Sequence, residues 1–527
     1  MHHTRQFPSG AVASPHHLAS AAGQQVLADG GNAVDAAVAA NLVLAVVTPY
    51  HCGVGGDLLA IVWDGEAHGV LSIGRAPAGA TPQAIERAIA DGHGDPTDAL
   101  PGTAGMPMSG ALPVTVPGAT AGWFHLLERW GSRSFGQLSA TARRLASDGF
   151  PVSAHGAGYP ERVRELLGDQ PGWEAAFGRM RAGERFVQPE LAATLATLAD
   201  DGPAGFYRGP VAQAVVDVLQ AHGSTMTRDD LAAHTVTEAA PLAGSYRGVD
   251  VLELPPPTQG VTALTTLGIL DTLGPLPDDP RLATHLQLEA VRLAMADRQE
   301  HLADPAVMGV APGQLLDSDR LARMAVDIDP DRAAAWPPPR PAPGGTAYLC
   351  AADADGLLVS LIQSNFVGFG SGVVAPGTGV GLHNRGAHFS RDPDDPASIG
   401  PGRQPMHTLI PGLALRDGRP WLVFGTMGGD SQPQIHLQLL SRLLDRGEDL
   451  QQAIDAPRFM VSVADGGVAL ESRAPADLVA GLTARGHEVT SVDAYDRRAG
   501  HAHAIEVTPH GYAGASDPRA EGAVTGC

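Results

Sequence analysis

The chain has 527 residues, 44% of them hydrophobic and 17% charged, and carries a formal charge of −22. That balance is globular rather than disordered, and the length suits two or three domains or one large layered domain. The acidic excess excludes a broad nucleic-acid face, because nothing would neutralise the phosphates.

The opening stretch, Met1 to Pro8, has no apolar signal core, and the longest apolar run, residues 36–47, is short for a membrane span and broken by Asn41. The expectation is a soluble, cytoplasmic protein with no membrane partner. His17 to Ala28 places Leu18, Ala22, Val26 and Leu27 at helical spacing and stops at Gly30-Gly31. Asn32 then caps a second helix, Ala33 to Val47, with Asp35 at the position where a carboxylate suits a helix N-terminus. That helix is apolar almost all round and is expected to be buried. Pro49 ends it. The turn Cys52-Gly53-Val54-Gly55-Gly56-Asp57 precedes a strand, Leu58 to Trp63. A phosphate cradle would need strand before helix, so a structural turn is the better reading.

Residues 78–235 read as mostly helical, with segments at Trp123 to Trp130, Ala142 to Ala146 and Pro189 to Leu198. Pro256-Pro257-Thr258-Gln259-Gly260 breaks the chain before a long apolar helix, and another helix follows over about His285 to Leu302. Its Asp297-Arg298 reads as a structural ion pair. A proline-laden run, Trp336 to Pro343, then gives way to Gly344-Gly345-Thr346-Ala347-Tyr348-Leu349-Cys350 and a hairpin signal at Asp353-Ala354-Asp355-Gly356. Beyond it the texture is short strands and glycine turns, with helices at Pro433 to Arg446 and about Ala474 to Arg485. The chain divides into a helix-rich first part, 1–345, and a strand-rich second part, 346–527.

Thr346 is the residue around which this organisation makes chemical sense. A threonine hydroxyl needs a base, and a threonine exposed as an N-terminus carries one in its own α-amino group, with a pKa of roughly 7.7–8.0. One cut between Gly345 and Thr346 would supply it, and glycine leaves the scissile carbonyl uncrowded. A nucleophile also needs donors for the developing oxyanion. Gly425-Thr426-Met427-Gly428-Gly429-Asp430, after an apolar strand and before a helix, offers a backbone nest, though a plain strand-to-helix turn explains it equally well. Cys350 falls on the same strand face as Thr346 and reads as a core cysteine. His501 and His503 share a strand face but lack an identifiable third ligand, so both read as structural. Cys52, Cys350 and Cys527 are too scattered for a disulfide framework or a cysteine zinc site. No metal and no cofactor is expected.

In these motifs the chain resembles the γ-glutamyltranspeptidase family of N-terminal-nucleophile hydrolases, nearly end to end. The resemblance is carried by Gly30-Gly31-Asn32-Ala33-Val34-Asp35, Gly53-Val54-Gly55-Gly56-Asp57, Val116-Pro117-Gly118, Gly205-Phe206-Tyr207-Arg208-Gly209, Ala296-Asp297-Arg298, Met427-Gly428-Gly429 and Ser516-Asp517-Pro518-Arg519. It implies an α/β fold of four layers, αββα, with two stacked antiparallel sheets flanked by helices. It implies a proenzyme that cuts itself before Thr346 into a large subunit, 1–345, and a small subunit, 346–527. It further implies Gly428 and Gly429 as oxyanion donors and Ser364 as the hydroxyl that hydrogen-bonds the nucleophile. A homo-oligomer of such two-chain units stays open.

The substrate motifs depart from the family pattern. Where transpeptidases carry Arg-Glu-x-Ala-Pro to grip an α-carboxylate, this chain reads Ile73-Gly74-Arg75-Ala76-Pro77, with Arg75 displaced. Where they carry Asn-Gln-x-Asp-Asp-Phe-Ser to grip an α-amino group, it reads Asn384-Arg385-Gly386-Ala387-His388-Phe389-Ser390, and the usual paired serines become His407-Thr408. A buried ammonium needs a carboxylate, and His388 removes it, whereas Arg385 offers a planar fork for a carboxylate. The pattern is similar to the oxamate amidohydrolase branch, which implies a small carboxylate-bearing amide as substrate and Arg75, Arg385, His388, His407 and Thr408 as its contacts. Hydrolysis or transfer of γ-glutamyl amides such as glutathione is the alternative. A chain that is never cut and only binds is a third reading, because Gly345 replaces the polar residue many members carry there.

Overall fold

The computed structural model describes residues 3–336 and 344–527. The prolines of the run before the proposed cut therefore lie outside the described residues. Two seven-stranded sheets form the centre. The first runs in the order Arg5–Phe7, Gly511–Ser516, Ala502–Thr508, Arg419–Thr426, Gly412–Arg416, Val249–Glu253, Leu242–Tyr246. The second runs Ala523–Gly526, Ala11–Ser14, Gly345–Ala352, Leu358–Phe366, Asp57–Trp63, Ala67–Ser72, Thr237–Ala239. All neighbours within these two sheets are antiparallel.

Alternation of side chains across each strand sorts the core into three slabs. Between the sheets lie Ala13, Leu59, Ile61, Tyr348, Cys350 and Ile362 from one side and Leu252, Leu413, Val423 and Ile505 from the other. The outer face of the second sheet, including Val12, Ala60, Leu349 and Leu361, packs on the helices Ala33–Val47 and Ala119–Trp130. The outer face of the first, including Val251, Leu422, Phe424 and Ala504, packs on Gly260–Thr272, Pro280–His301 and Ser431–Asp445. The result is the expected αββα stack. Among the described residues no helix is long and apolar enough to cross a membrane.

Local signals set several boundaries directly. Helices span His17–Ala28 and Ala33–Val47, the second with a full capping box between Asn32 and Asp35 and every residue buried. The helix expected from His285 starts at Pro280, because Asp279 caps it and Pro280 occupies its first turn. The Asp297-Arg298 pair does not form. Consecutive residues on a helix point about 100° apart, and Asp297 pairs with Arg320 while Arg298 pairs with Asp430.

The segments before and after Thr346 are not separate domains. Gly345–Ala352 pairs with Ala11–Ser14 on one side, and Leu358–Phe366 pairs with Asp57–Trp63. Each sheet therefore draws strands from both segments, and a cut at Thr346 would leave the hydrogen-bonded ladders intact.

Buried histidines give this fold a pH signature. Burial, the largest cause in each case, lowers His16, His51 and His407 to about 3 and His234 and His503 to about 4. The unfolded chain takes up protons at these positions near pH 6.5 while the folded chain does not, so stability is complete above about 6.5 and falls as pH drops towards 4. Each such histidine costs about 1.4 kcal/mol per pH unit in that window. Asp57 is held down to about 2 and adds its own loss only below about 4. Thermal melts followed by circular dichroism are expected to show a steep decline in Tm from pH 7 to pH 5. A flat profile over that range would show that these rings are charged in the fold.

Candidate active site

Thr346 is the second residue of Gly345–Ala352 and is 1% exposed. Gly345 stands opposite Phe366 while Ala347 stands opposite Gln363, so the partner strand carries an extra residue at this point. Such a bulge bends a strand and re-aims its side chains. Here it brings Ser364 to Thr346: the Thr346 Oγ1 donates to Ser364 Oγ at 3.2 Å. Ser364 Oγ in turn donates to the Gly345 carbonyl oxygen at 2.7 Å and accepts from the Phe366 N–H at 2.7 Å. One hydroxyl thus touches the hydroxyl of Thr346 and polarises the carbonyl that precedes it.

Gly345 is enclosed. A Cβ there would lie 3.1 Å from the Tyr50 carbonyl oxygen and 3.3 Å from His51 Nδ1. The His51 ring is fully buried, neutral at its depressed pKa, and held at Nε2 by the Tyr159 hydroxyl at 3.3 Å; its Nδ1 has no partner among the described residues. Sequence reasoning gave His51 no role, because nothing local links it to a residue 294 positions later (345 − 51).

The Gly428-Gly429 turn has the backbone of a nest, with φ of 140° and 55°, values that need glycine. It follows Arg419–Thr426 and opens the helix Ser431–Asp445. Among the described residues no backbone carbonyl accepts from either glycine's N–H. Gly344 lies directly against it: a Cβ on Gly344 would fall 3.0 Å from Gly429 N. The nest is held by Gln259, whose Nε2 donates to the Gly429 carbonyl at 2.8 Å and the Thr408 carbonyl at 2.9 Å. Gln259 Oε1 accepts from Arg298 Nη1 at 2.9 Å, and Arg298 also pairs with Asp430. Gln259 and Arg298 sit inside the quoted motifs, but their placing roles depend on partners 39 to 170 residues away.

Phe366, at φ 76°, carries the bulge over to the substrate motifs. Its ring lies 4.3 Å below the Arg385 guanidinium and 4.6 Å from the His388 ring. Arg385 is 1% exposed; Nη1 donates to Thr408 Oγ1 at 3.0 Å, and Nε and Nη2 have no partner among the described residues. Burial lowers it to about 9, against the pull of Asp57. His388 is buried, its Nε2 has no partner among the described residues, and burial together with Arg385 and Arg298 keeps it neutral. A narrow cavity of about 30 Å³ opens beside His388, lined by Pro101, Thr103, Arg298, Ser390 and Met406.

His407 and Asp57 stand behind this pocket. His407 Nε2 lies 3.1 Å from Asp57 Oδ2, and Asp57 Oδ1 accepts from the N–H groups of Gly74 and Gly118 at 3.1 Å each. His407 is therefore spent on Asp57, and Thr408 on Arg385. Arg75 is not brought to the cluster: its side chain is exposed and donates to the Gly402 carbonyl at 2.9 Å, so it ties down a loop. The displacement of Arg75 within its motif turned the side chain away. In the Gly53–Asp57 turn the Gly56 N–H donates to the Gly53 carbonyl at 3.1 Å, and a Cβ on Gly56 would lie 2.5 Å from the Ser364 carbonyl oxygen, so close packing requires glycine there. Cys350 is buried, and burial raises its thiol to about 12.

The chain is similar to known proteins over nearly its whole length. Residues 19–527 match the family model described as Gamma-glutamyltranspeptidase. The chain is 37% identical to the oxamate amidohydrolase proenzyme of Klebsiella pneumoniae, covering 100% of both. It is also 37% identical to a glutathione hydrolase-like proenzyme of Bacillus subtilis, covering 98% of both. The crystal structure of a cephalosporin acylase from Bacillus halodurans superposes with a TM-score of 0.93 at 35% identity, over 100% of this chain and 97% of that one.

Proposed function

The chain belongs to the γ-glutamyltranspeptidase family of hydrolases, and on that premise we propose that it cuts itself before Thr346 and then hydrolyses a small carboxylate-bearing amide of the oxamate type. The observation that carries the first half is the shared hydrogen bonding of Ser364 with Thr346 Oγ1 and the Gly345 carbonyl oxygen. Attack of Oγ1 on the Gly345 carbonyl carbon forms an ester and frees the Thr346 amine, and water then hydrolyses the ester. The products are segments 1–345 and 346–527.

The freed amine accepts the Oγ1 proton for the second reaction. The hydroxyl oxygen attacks the substrate amide, and the oxyanion forms against the Gly428 and Gly429 N–H groups. The nitrogen leaves with the proton, and water releases the acyl group from Thr346. With oxamate the balance is one amide and one water giving oxalate and ammonium.

Arg385 carries the substrate assignment. A buried guanidinium with Nε and Nη2 unpartnered is matched by a planar carboxylate accepting both. The neutral His388 beside it supplies no counter-charge for an ammonium, which weighs against a donor held as a free amino acid.

Denaturing electrophoresis tests the first half. Two fragments are expected, the smaller beginning at Thr346 by mass analysis, and they should co-elute under native conditions because both sheets are shared. A single intact chain that is fully active would overturn the nucleophile assignment.

A further inference from the structure

Outside this site, a second constellation joins the two segments. The helix Pro280–His301 presents His285 and Glu289 at i and i+4, on one face. The helix Ala476–Ala484 packs on it, and the turn after that helix delivers His487. One ligand atom from each of His285, Glu289 and His487 lies within 4.8 Å of the others. We propose that these three residues bind a divalent transition-metal ion of the zinc type, which clips the proposed large segment to the small one.

The hydrogen bonding fixes which atoms would ligate. His285 Nε2 lies 2.7 Å from the Asp329 carbonyl oxygen, so that nitrogen carries the proton and Nδ1 presents its lone pair to the cluster. His487 Nε2 lies 2.8 Å from that lone pair. A proton shared between two facing imidazole nitrogens stands where a cation would, and metal binding moves it to His487 Nδ1, leaving both rings neutral and both facing nitrogens free to ligate. Glu289 is 2% exposed and accepts from Arg292 Nε at 2.9 Å and the Ala334 N–H at 3.3 Å. A carboxylate has about four lone-pair sites, so it can still ligate. A cavity of about 150 Å³ beside His487 and Glu289, rimmed by Asp465, Glu488 and Trp336, leaves room for water as a fourth ligand. Two imidazoles and one carboxylate suit zinc.

The location gives the site a purpose. Asp329 and Ala334, which bond His285 and Glu289, lie on the segment leading to the proposed cut, and that segment loses its covalent tie to the chain from Thr346 onward when Thr346 is freed. A metal shared with His487 would retain it. This purpose rests on the self-cleavage reading; the metal site does not. It also departs from the expectation, drawn from sequence, of no metal.

The test uses the purified full-length protein and its uncut Thr346→Ala variant, both stripped with a chelator and titrated with zinc against a chromogenic competitor. One equivalent is expected in each, with a higher Tm when zinc is present. His487→Gln, at a half-exposed turn, is expected to bind about 100-fold more weakly or worse, since even lost supporting contacts cost 10–100-fold. His285→Gln serves as the second variant and is expected to do the same. No retained equivalent in the parent protein, or unchanged binding in a folded His487→Gln variant, overturns the proposal. Binding by both parent forms alongside a failure to cut would sink the self-cleavage reading and leave the metal site standing.

Discussion

Thr346→Ala is expected to leave the protein as a single chain and to lower amide hydrolysis on the order of 10⁴-fold or more, the scale of losing a nucleophile. Both losses trace to one oxygen. Without Oγ1 nothing attacks the Gly345 carbonyl, so no amine is freed, and nothing remains to attack a substrate. The fold should survive, because among the described residues Oγ1 makes one hydrogen bond, at 3.2 Å, and the strand around it keeps its ladder. Ser364→Ala separates the two roles by degree. It removes the hydroxyl that polarises the Gly345 carbonyl, a loss comparable to an oxyanion donor and worth roughly 10²–10³ in rate. Processing should then slow to hours or days while remaining detectable by gel. Full-speed processing in Ser364→Ala would mean that the 2.7 Å contact to Gly345 is incidental.

What could be read before the structure was what depends on neighbours in sequence. The helix Ala33–Val47 was legible to the residue because Asn32, Asp35 and Pro49 mark its ends and its apolar surface has no polar face. Thr346 was legible because breakers, a strand and a hairpin signal occur in one stretch. The layered fold came from resemblance, since no local pattern says that strands on both sides of Thr346 interleave. The pocket was legible only in part. Arg385 and His388 stood out as departures from a motif, but Phe366 beneath them depends on a bulge that pairing creates. Arg75 misled for the converse reason: a motif slipped along the chain keeps its letters and loses its direction. His51, Gln259 and Arg298 act through partners brought by the sheets, which residue spacing does not encode.

Arg385→Ala is expected to reduce kcat/KM for a carboxylate-bearing amide by about 10²-fold, mostly through KM. A charge-assisted contact of this kind contributes roughly 1.5–3 kcal/mol, and each 1.4 kcal/mol is tenfold. Arg385→Lys keeps the charge but not the fork, so it should recover only part of the loss. The comparison that decides the substrate class is oxamate, read by ammonia release, against a chromogenic γ-glutamyl anilide. An enzyme built around a guanidinium with Nε and Nη2 still open and a neutral His388 should prefer the first, because the second brings an ammonium and no carboxylate is among the described residues lining the cavity beside His388. Asp57 does not fill that role: it is fully buried and already committed to His407 and the Gly74 and Gly118 N–H groups. Robust turnover of the anilide with none of oxamate would place the substrate carboxylate elsewhere and make Arg385 a structural partner of Asp57. In that case Arg385→Ala would lower Tm while leaving KM unchanged, and the two measurements together separate a ligand for substrate from a brace for the fold.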